Sequence, residues 1–169
     1  DMCCAPGGKT AQLLDNDLVI DCVEKSKTRS NTFKKNMTRL NYNPNLINVN
    51  AEDFNPKYKA DVILIDAPCS GTGTIRKNPD IFIRNPPDNL DNFISIQNKI
   101  LENSAKILKK NGLLMYITCS LQKIDINLAG IQNRQSSLTY AQIYPIYSTT
   151  LIPILRNLSI KLSFLLLPP

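Results

Sequence analysis

Apolar positions along this chain fall into two alternating patterns, short continuous runs and stretches of helical period. Asp1 to Cys4 reads as the tail of a first strand, Pro6-Gly7-Gly8 as a turn, and Lys9 to Leu14 as the start of a helix. Leu18 to Val23 predicts a second strand ending at Glu24. Phe33, Met37 and Leu40 recur at helical spacing with charge on the opposite side. Leu46 to Val49 is a short third strand, and the unbroken run Val62-Ile63-Leu64-Ile65 suits a strand covered on both faces. A loop rich in Gly, Pro and Asn follows. Phe93, Ile96, Ile100, Leu101, Ile107 and Leu108 then mark an amphipathic helix, which Asn111-Gly112 stops. Leu113 to Ile117 predicts a fifth buried strand.

This order of strands and helices predicts a doubly wound α/β sheet. Such sheets bind ligands beyond the carboxyl ends of their strands. Those ends are the Cys4–Gly8 turn, Glu24, Asp53, the Asp66–Cys69 stretch and Thr118-Cys119-Ser120, where every chemically notable residue sits. After about Asn127 the pattern fails. Gln132 to Tyr140 is polar and the remainder mixes Pro, Tyr and Leu without period, so residues 1–127 are expected to form the catalytic core and 128–169 a divergent segment. There are no internal repeats.

Composition narrows the chemistry. The chain has 169 residues, 43% of them hydrophobic, which suits one domain with a real core. Its 20 basic and 14 acidic side chains leave a net charge of +6, an excess suited to a polyanion such as nucleic acid. A bias towards Lys, Asn and Ile, as an AT-rich genome gives, explains much of the Lys count equally well. The five cysteines are odd in number, no CxxC pair is present, and no secretory leader is visible. A disulfide framework and a zinc site are therefore not expected, and a cytoplasmic location is. The complete absence of His removes Ser-His-Asp, Cys-His and His-metal chemistry. The apolar stretch Leu151–Pro169 is interrupted by Pro153, Arg156 and Lys161, so no membrane span is expected.

Three strings carry chemistry. In Asp1-Met2-Cys3-Cys4-Ala5-Pro6-Gly7-Gly8-Lys9-Thr10, glycines in a strand-to-helix turn allow a ligand close to the backbone, and the helix start favours negative charge. A phosphate-binding P-loop needs Gly where Cys3 stands, so that reading fails. Glu24, at the end of the second strand, suits hydrogen bonds from two ribose hydroxyls, although a solvated carboxylate at a helix start is as common. Asp53 suits an adenine amino group or is a plain loop carboxylate. The second string is Asp66-Ala67-Pro68-Cys69-Ser70-Gly71-Thr72-Gly73 and the third Thr118-Cys119-Ser120. Cys3, Cys4 and Cys22 fit the inert, structural role usual for free cysteines. Cys69 and Cys119 differ, because the predicted topology puts both at one rim on adjacent strands. Two thiols there and no His favour thiolate addition over hydrolysis.

Together these residues resemble the Sun (also called Fmu) family of RNA cytosine-C5 methyltransferases, which includes bacterial enzymes of 16S ribosomal RNA. Cys3 to Thr10 matches the family's cofactor loop, with Cys4 where Ala is usual. Glu24, Arg29, Asn36 and Leu40 match its second motif. Asp66 to Gly73, continuing through Arg76, Asn78-Pro79-Asp80 and Ile81, matches its fourth. Gln97 to Leu101 and Tyr116 to Leu121 match the helix and strand around its sixth. The resemblance covers roughly residues 1–126. It implies a Rossmann-like class I methyltransferase sheet and S-adenosylmethionine as cofactor. The loop residues Cys3, Cys4, Ala5, Pro6, Gly7, Gly8 and Lys9, with Glu24, Arg29, Asp53 and Asp66, would hold it. The target cytosine would leave its stack. Cys119 would add to ring carbon 6, Asp66 would hold the ring, Cys69 would assist proton removal and release, and Lys9 would stand by the reaction centre. Arg76, Lys77 and Arg84 would meet RNA phosphates, or form a solvated loop.

The family's N-terminal RNA-binding region, the first part of the sheet and its usual final strands are not recognisable, and a frameshifted tail is one expectation for 128–169. An inactive remnant, or a fragment that binds cofactor without catalysis, is the alternative function. An amino-group methyltransferase is a poorer fit, since Asn85-Pro86-Pro87 is followed by Asp88 and not by an aromatic residue.

Overall fold

The computed structural model describes residues 1–84, 90–120 and 141–145. Among the described residues the strands β1 (Asp21–Val23), β2 (Asn45–Ile47), β3 (Ala60–Asp66), β4 (Leu108–Thr118) and β5 (Ala141–Pro145) alternate with helices α1 (Gly8–Leu14), α2 (Lys27–Arg39), α3 (Ile81–Arg84) and α4 (Leu90–Ile107). Short 3-10 turns follow β2 and β3, at Ala51–Asp53 and Thr72–Thr74. Among the described residues every strand pairing is parallel.

The N-terminal segment joins the two halves of the sheet. Met2 bridges Val23 on one side and Ile65 on the other. Its N–H donates to the Leu64 carbonyl at 2.7 Å and its carbonyl accepts from the Asp66 N–H at 3.1 Å, while the Cys4 N–H donates to Val23 at 3.1 Å. The strand order is therefore β2, β1, the Met2 segment, β3, β4, β5.

Both faces are covered, and successive side chains choose opposite ones. Ile63 and Ile65 of β3, with Leu114 and Tyr116 of β4, pack with Ile100, Leu101 and Ile107 of α4. The intervening Leu64, Met115 and Ile117 pack with Leu13 of α1. Beside them, Cys4 and Cys22 meet Phe33 and Met37 of α2. This is the doubly wound arrangement expected from the continuous apolar runs. At the start of α2, the Ser26 hydroxyl caps the helix by accepting from the Arg29 N–H at 3.3 Å.

Element edges depart from the pattern in four places. Strand β1 begins at Asp21, not Leu18, because β2 offers partners only to Asp21–Val23; Leu18 and Val19 are exposed. Strand β2 likewise ends at Ile47, and Val49 is exposed. Leu108, expected to close the long helix, instead opens β4 by pairing with Ala60. From Ala60↔Leu108 to Val62↔Leu113, β3 advances two residues and β4 five, so Lys109–Gly112 form a bulge inside the strand. Asn111 takes a left-handed φ of 66° there, and a Cβ on Gly112 would meet Leu108 at 2.8 Å and the Lys109 carbonyl at 2.9 Å. The Asn-Gly pair thus makes a bulge and not a helix stop. Lastly, β5 lies along Leu114–Thr118 of β4, within the segment whose pattern predicted no element.

Among the described residues no helix is long and apolar enough to cross a membrane. Ile65, 0% exposed at the centre of the sheet, tests the packing: Ile65→Ala should cost about 3 kcal/mol, read as a lower urea midpoint at unchanged slope.

Candidate active site

The carboxyl ends of β1, β3 and β4 and the turn before α1 bring the expected residues to one edge of the sheet. In that turn the backbone takes the left-handed region at Cys3 (φ 61°) and at Gly7 (φ 105°). Gly7 is needed for space as well as for conformation, since a Cβ would stand 2.7 Å from Met37 Cε and 3.0 Å from Phe33 Cδ2. Gly8 is exposed, with nothing within 4 Å of where its Cβ would be. The loop is braced from α2. The Arg29 guanidinium donates to the Ala5 carbonyl, and Asn36 Nδ2 donates to the Pro6 carbonyl at 2.9 Å.

Glu24 is 2% exposed. Its Oε1 accepts from the Ser26 N–H at 2.9 Å. Its Oε2 is buried and accepts no hydrogen bond, with Arg29 Nη1 3.5 Å away. A buried carboxylate oxygen without a donor is costly and marks a place where a ligand hydroxyl would fit. Asp53 stands exposed on its 3-10 turn, with Oδ2 accepting from Asn50 Nδ2 at 2.8 Å. Cys3 is held up at about 11 by burial, with the Glu24 charge adding to it. Cys4 and Cys22, both buried, form a thiol pair whose hydrogen bond raises Cys4 and lowers Cys22. All three are therefore poor candidates for reacting thiols: Cys3 is held neutral, and the Cys4–Cys22 pair is closed off from solvent.

At the next two strand ends, Lys9 Nζ donates to Asp66 Oδ2 at 2.7 Å, with the side chains 29% and 32% exposed. Cys69 Sγ and Cys119 Sγ lie 3.2 Å apart. The pair divides its protons unequally. Cys69 is lowered to about 6, first by the hydrogen bond from the Cys119 thiol and then, against burial, by the Thr118 hydroxyl and the N–H groups of Gly71 and Cys119. Cys119, the exposed member, is raised, first by the same hydrogen bond and then by burial, the Cys69 charge and Asp66. The shared hydrogen bond thus favours the thiolate on Cys69 and the thiol on Cys119. Arg76 and Lys77 are exposed on the loop after β3. The Arg84 side chain, the Asn85-Pro86-Pro87 run and most of 128–169 lie outside the described residues. Among the described residues no group of three or more Cys, Asp or Glu converges on a metal position.

Two supporting residues on α4 escaped the motif reading as such. Gln97, 4% exposed, donates to the Pro68 carbonyl at 2.8 Å and so fixes the Asp66–Cys69 turn. Asn103 Nδ2 donates to the carbonyls of Ala51 at 2.9 Å and Phe54 at 2.8 Å, on either side of Asp53. Both are polar side chains on the apolar flank of an amphipathic helix; that misplacement is the signal Asn103 gives, whereas Gln97 also opens the Gln97–Leu101 stretch of the family resemblance.

The chain is similar to known proteins over most of its length. Over 129 residues the chain is 37% identical to ribosomal RNA small subunit methyltransferase B of Pseudomonas putida, covering 71% of this chain and 29% of that protein. It is 35% identical over 149 residues to a tRNA (cytosine(34)-C(5))-methyltransferase of Drosophila melanogaster, covering 74% of this chain and 20% of the relative. The crystal structure of NSun6 from Pyrococcus horikoshii with SFG superposes with a TM-score of 0.66 at 33% identity, over 78% of this chain and 35% of that one. The chain thus spans about three-tenths of the length of the bacterial relatives it matches. The family model described as 16S rRNA methyltransferase RsmB/F matches residues 1–144, and the chain belongs to that family.

Proposed function

We propose that this chain carries the methyl-transfer centre of an S-adenosylmethionine-dependent RNA cytosine-C5 methyltransferase, with ribosomal RNA as the substrate. The observation that carries the reading is the pair of sulfur atoms, Cys69 and Cys119, 3.2 Å apart at the same sheet edge as the Asp66–Lys9 ion pair. The relatives named for ribosomal RNA and for tRNA cytosine C5 support RNA as the partner, as does the net charge of +6. Arg76 and Lys77, exposed on the loop after β3, would meet RNA phosphates.

S-adenosylmethionine fits the residues present, and the Pyrococcus relative was solved with SFG, an analogue of it. The orphaned Glu24 Oε2 would accept from the ribose hydroxyls. Asp53 would meet the adenine amino group, Gly8 leaves open space beside the backbone, and the Cys3–Lys9 turn held by Arg29 would run along the amino-acid part. When bound, the cofactor supplies an electrophilic methyl group on sulfonium.

The remaining steps belong to the chain. A cytosine taken out of its stack would lie against Asp66, whose carboxylate would accept from the exocyclic amino group while Lys9 orients it. Cys119 Sγ bonds to ring carbon 6 as its proton passes to the Cys69 thiolate next to it. Carbon 5 becomes nucleophilic and takes the methyl group. Cys69 then gives its proton to solvent, its thiolate takes the proton of carbon 5 as the sulfur–carbon bond breaks, and that proton passes on to the departing Cys119 sulfur.

Two measurements test this. In calorimetric titration with S-adenosylmethionine, Glu24→Ala should weaken binding by about tenfold to a hundredfold, the worth of hydrogen bonds to a charged group; unchanged affinity would remove Glu24 from the site. In methylation assays on ribosomal RNA, Cys119→Ala should lose activity and form no covalent complex. Cys69→Ala should lose turnover by about a hundredfold or more and accumulate an RNA adduct that survives denaturing gels. An adduct through Cys69 in the Cys119→Ala chain would reverse the two roles.

A further inference from the structure

Behind the two cysteines lie three buried hydroxyls that the proposed reaction does not use. Ser70 and Ser120 each directly follow a cysteine of the pair, and their Oγ atoms are 2.9 Å apart. Thr72 Oγ1 is 3.2 Å from Ser120 Oγ and 3.5 Å from Ser70 Oγ, which closes a triangle. Ser70, Thr72 and Ser120 are 2%, 8% and 2% exposed. The backbone adds a parallel tie, since the Gly73 N–H donates to the Cys119 carbonyl at 2.9 Å. On the strand side, the Ser120 N–H donates to Thr118 Oγ1 at 3.2 Å, which leaves the Thr118 proton to face the Cys69 sulfur.

We propose that Ser70, Thr72 and Ser120 are positioning residues, a hydroxyl clamp that holds the loops after β3 and β4 together and so sets the separation of the Cys69 and Cys119 sulfur atoms. The inference rests on the two-thiol reading above. Neither cysteine lies within a strand, so the ladder that ends at Asp66↔Ile117 does not itself fix the distance between them. A thiol is a weak donor, and its bond to a thiolate falls away quickly with distance and angle. Hydroxyls are a costly way to fill a dry interior where Ala or Val would serve, unless their bonds fix a geometry. Each of these hydroxyls can donate once and accept twice, which lets the triangle close with every member bonded.

Thiol titration of the full chain tests the clamp without RNA or cofactor. Alkylation of Cys69 and Cys119 by iodoacetamide would be followed by mass spectrometry across pH. The variants are Ser120→Ala, Thr72→Val and Thr72→Ser, with folding checked by circular dichroism. In the unaltered chain Cys69 should react with a midpoint of about 6. Because that value is depressed, the thiolate is present above it and is lost as pH falls through it. Ser120→Ala and Thr72→Val should raise the midpoint by about one pH unit or more towards the ordinary value near 8.5. Thr72→Ser, which keeps the hydroxyl, should leave it in place. If Ser120→Ala does not fold, the two Thr72 variants decide, since Val keeps the shape and Ser keeps the hydroxyl. A depressed midpoint in the unaltered chain that stays put in Thr72→Val, or that moves only in Thr72→Ser, overturns the clamp and leaves the two-thiol reading standing. An ordinary midpoint in the unaltered chain overturns both.

Discussion

The parallel register of β3 on β4 is the constraint on which the candidate site depends. Pairing Asp66 with Ile117 makes both strands end at the same level. The residues that follow, Ala67-Pro68-Cys69 and Thr118-Cys119, are delivered side by side. An antiparallel pair would put these ends at opposite edges of the sheet. Parallel pairing carries its own demand, a long crossover that covers a face of the sheet, and α4 meets it through Ile100, Leu101 and Ile107. The same helix also reaches the site, because Gln97 grips the turn that carries Cys69. One element thus supplies core and geometry together.

The cofactor side depends on a second placement, the N-terminal segment inserted between β1 and β3. Met2 exchanges backbone hydrogen bonds with β3, and Asp1 and Cys4 on either side of it bond to Val23 of β1, so the turn that follows must leave the sheet between Glu24 and Asp66. Gly7 then lets the chain fold tightly over Phe33 and Met37 of α2. Arg29 couples the two halves of this edge, since it touches both the Ala5 carbonyl and Glu24. Its position in the sequence, one turn into α2, therefore serves the loop more than the helix.

Much of this was legible in the sequence because it is written in period and in local strings. Ile63-Leu64-Ile65 reads as a strand wet on neither face, and it is one. The turn glycines and Asp66-Ala67-Pro68-Cys69 read as strand-end chemistry, and they lie at strand ends. The parts that were not legible depend on partners distant in sequence. Nothing in Leu18 or Val19 says that β2 is too short to pair with them. Asn111-Gly112 has the same composition in a helix stop and in a bulge, and only Ala60 across the sheet decides between them. Asn103, Gln97 and the Ser70–Ser120 contact are hydrogen bonds between residues 29 to 52 positions apart. Such bonds leave no trace in the pattern of apolar positions. The unequal sharing of a proton by Cys69 and Cys119 is less visible still, because it follows from a separation of sulfur atoms and not from residue type.

Several costs within the described residues gather at this edge. Left-handed Cys3, crowded Gly7, the orphaned oxygen of Glu24 and a Cys69 sulfur biased towards its thiolate would each weaken an ordinary core. They are tolerated because the interior of the sheet is saturated and dry, from Met2 through Ile65 to Leu114, with side chains 0% to 2% exposed. The division has a physical reason. Groups that must change partner during a reaction, such as a carboxylate waiting for hydroxyls or a sulfur that gains and loses a carbon, cannot be fully satisfied beforehand. A fold that satisfied them internally would be more stable and would have nothing left with which to bind or react.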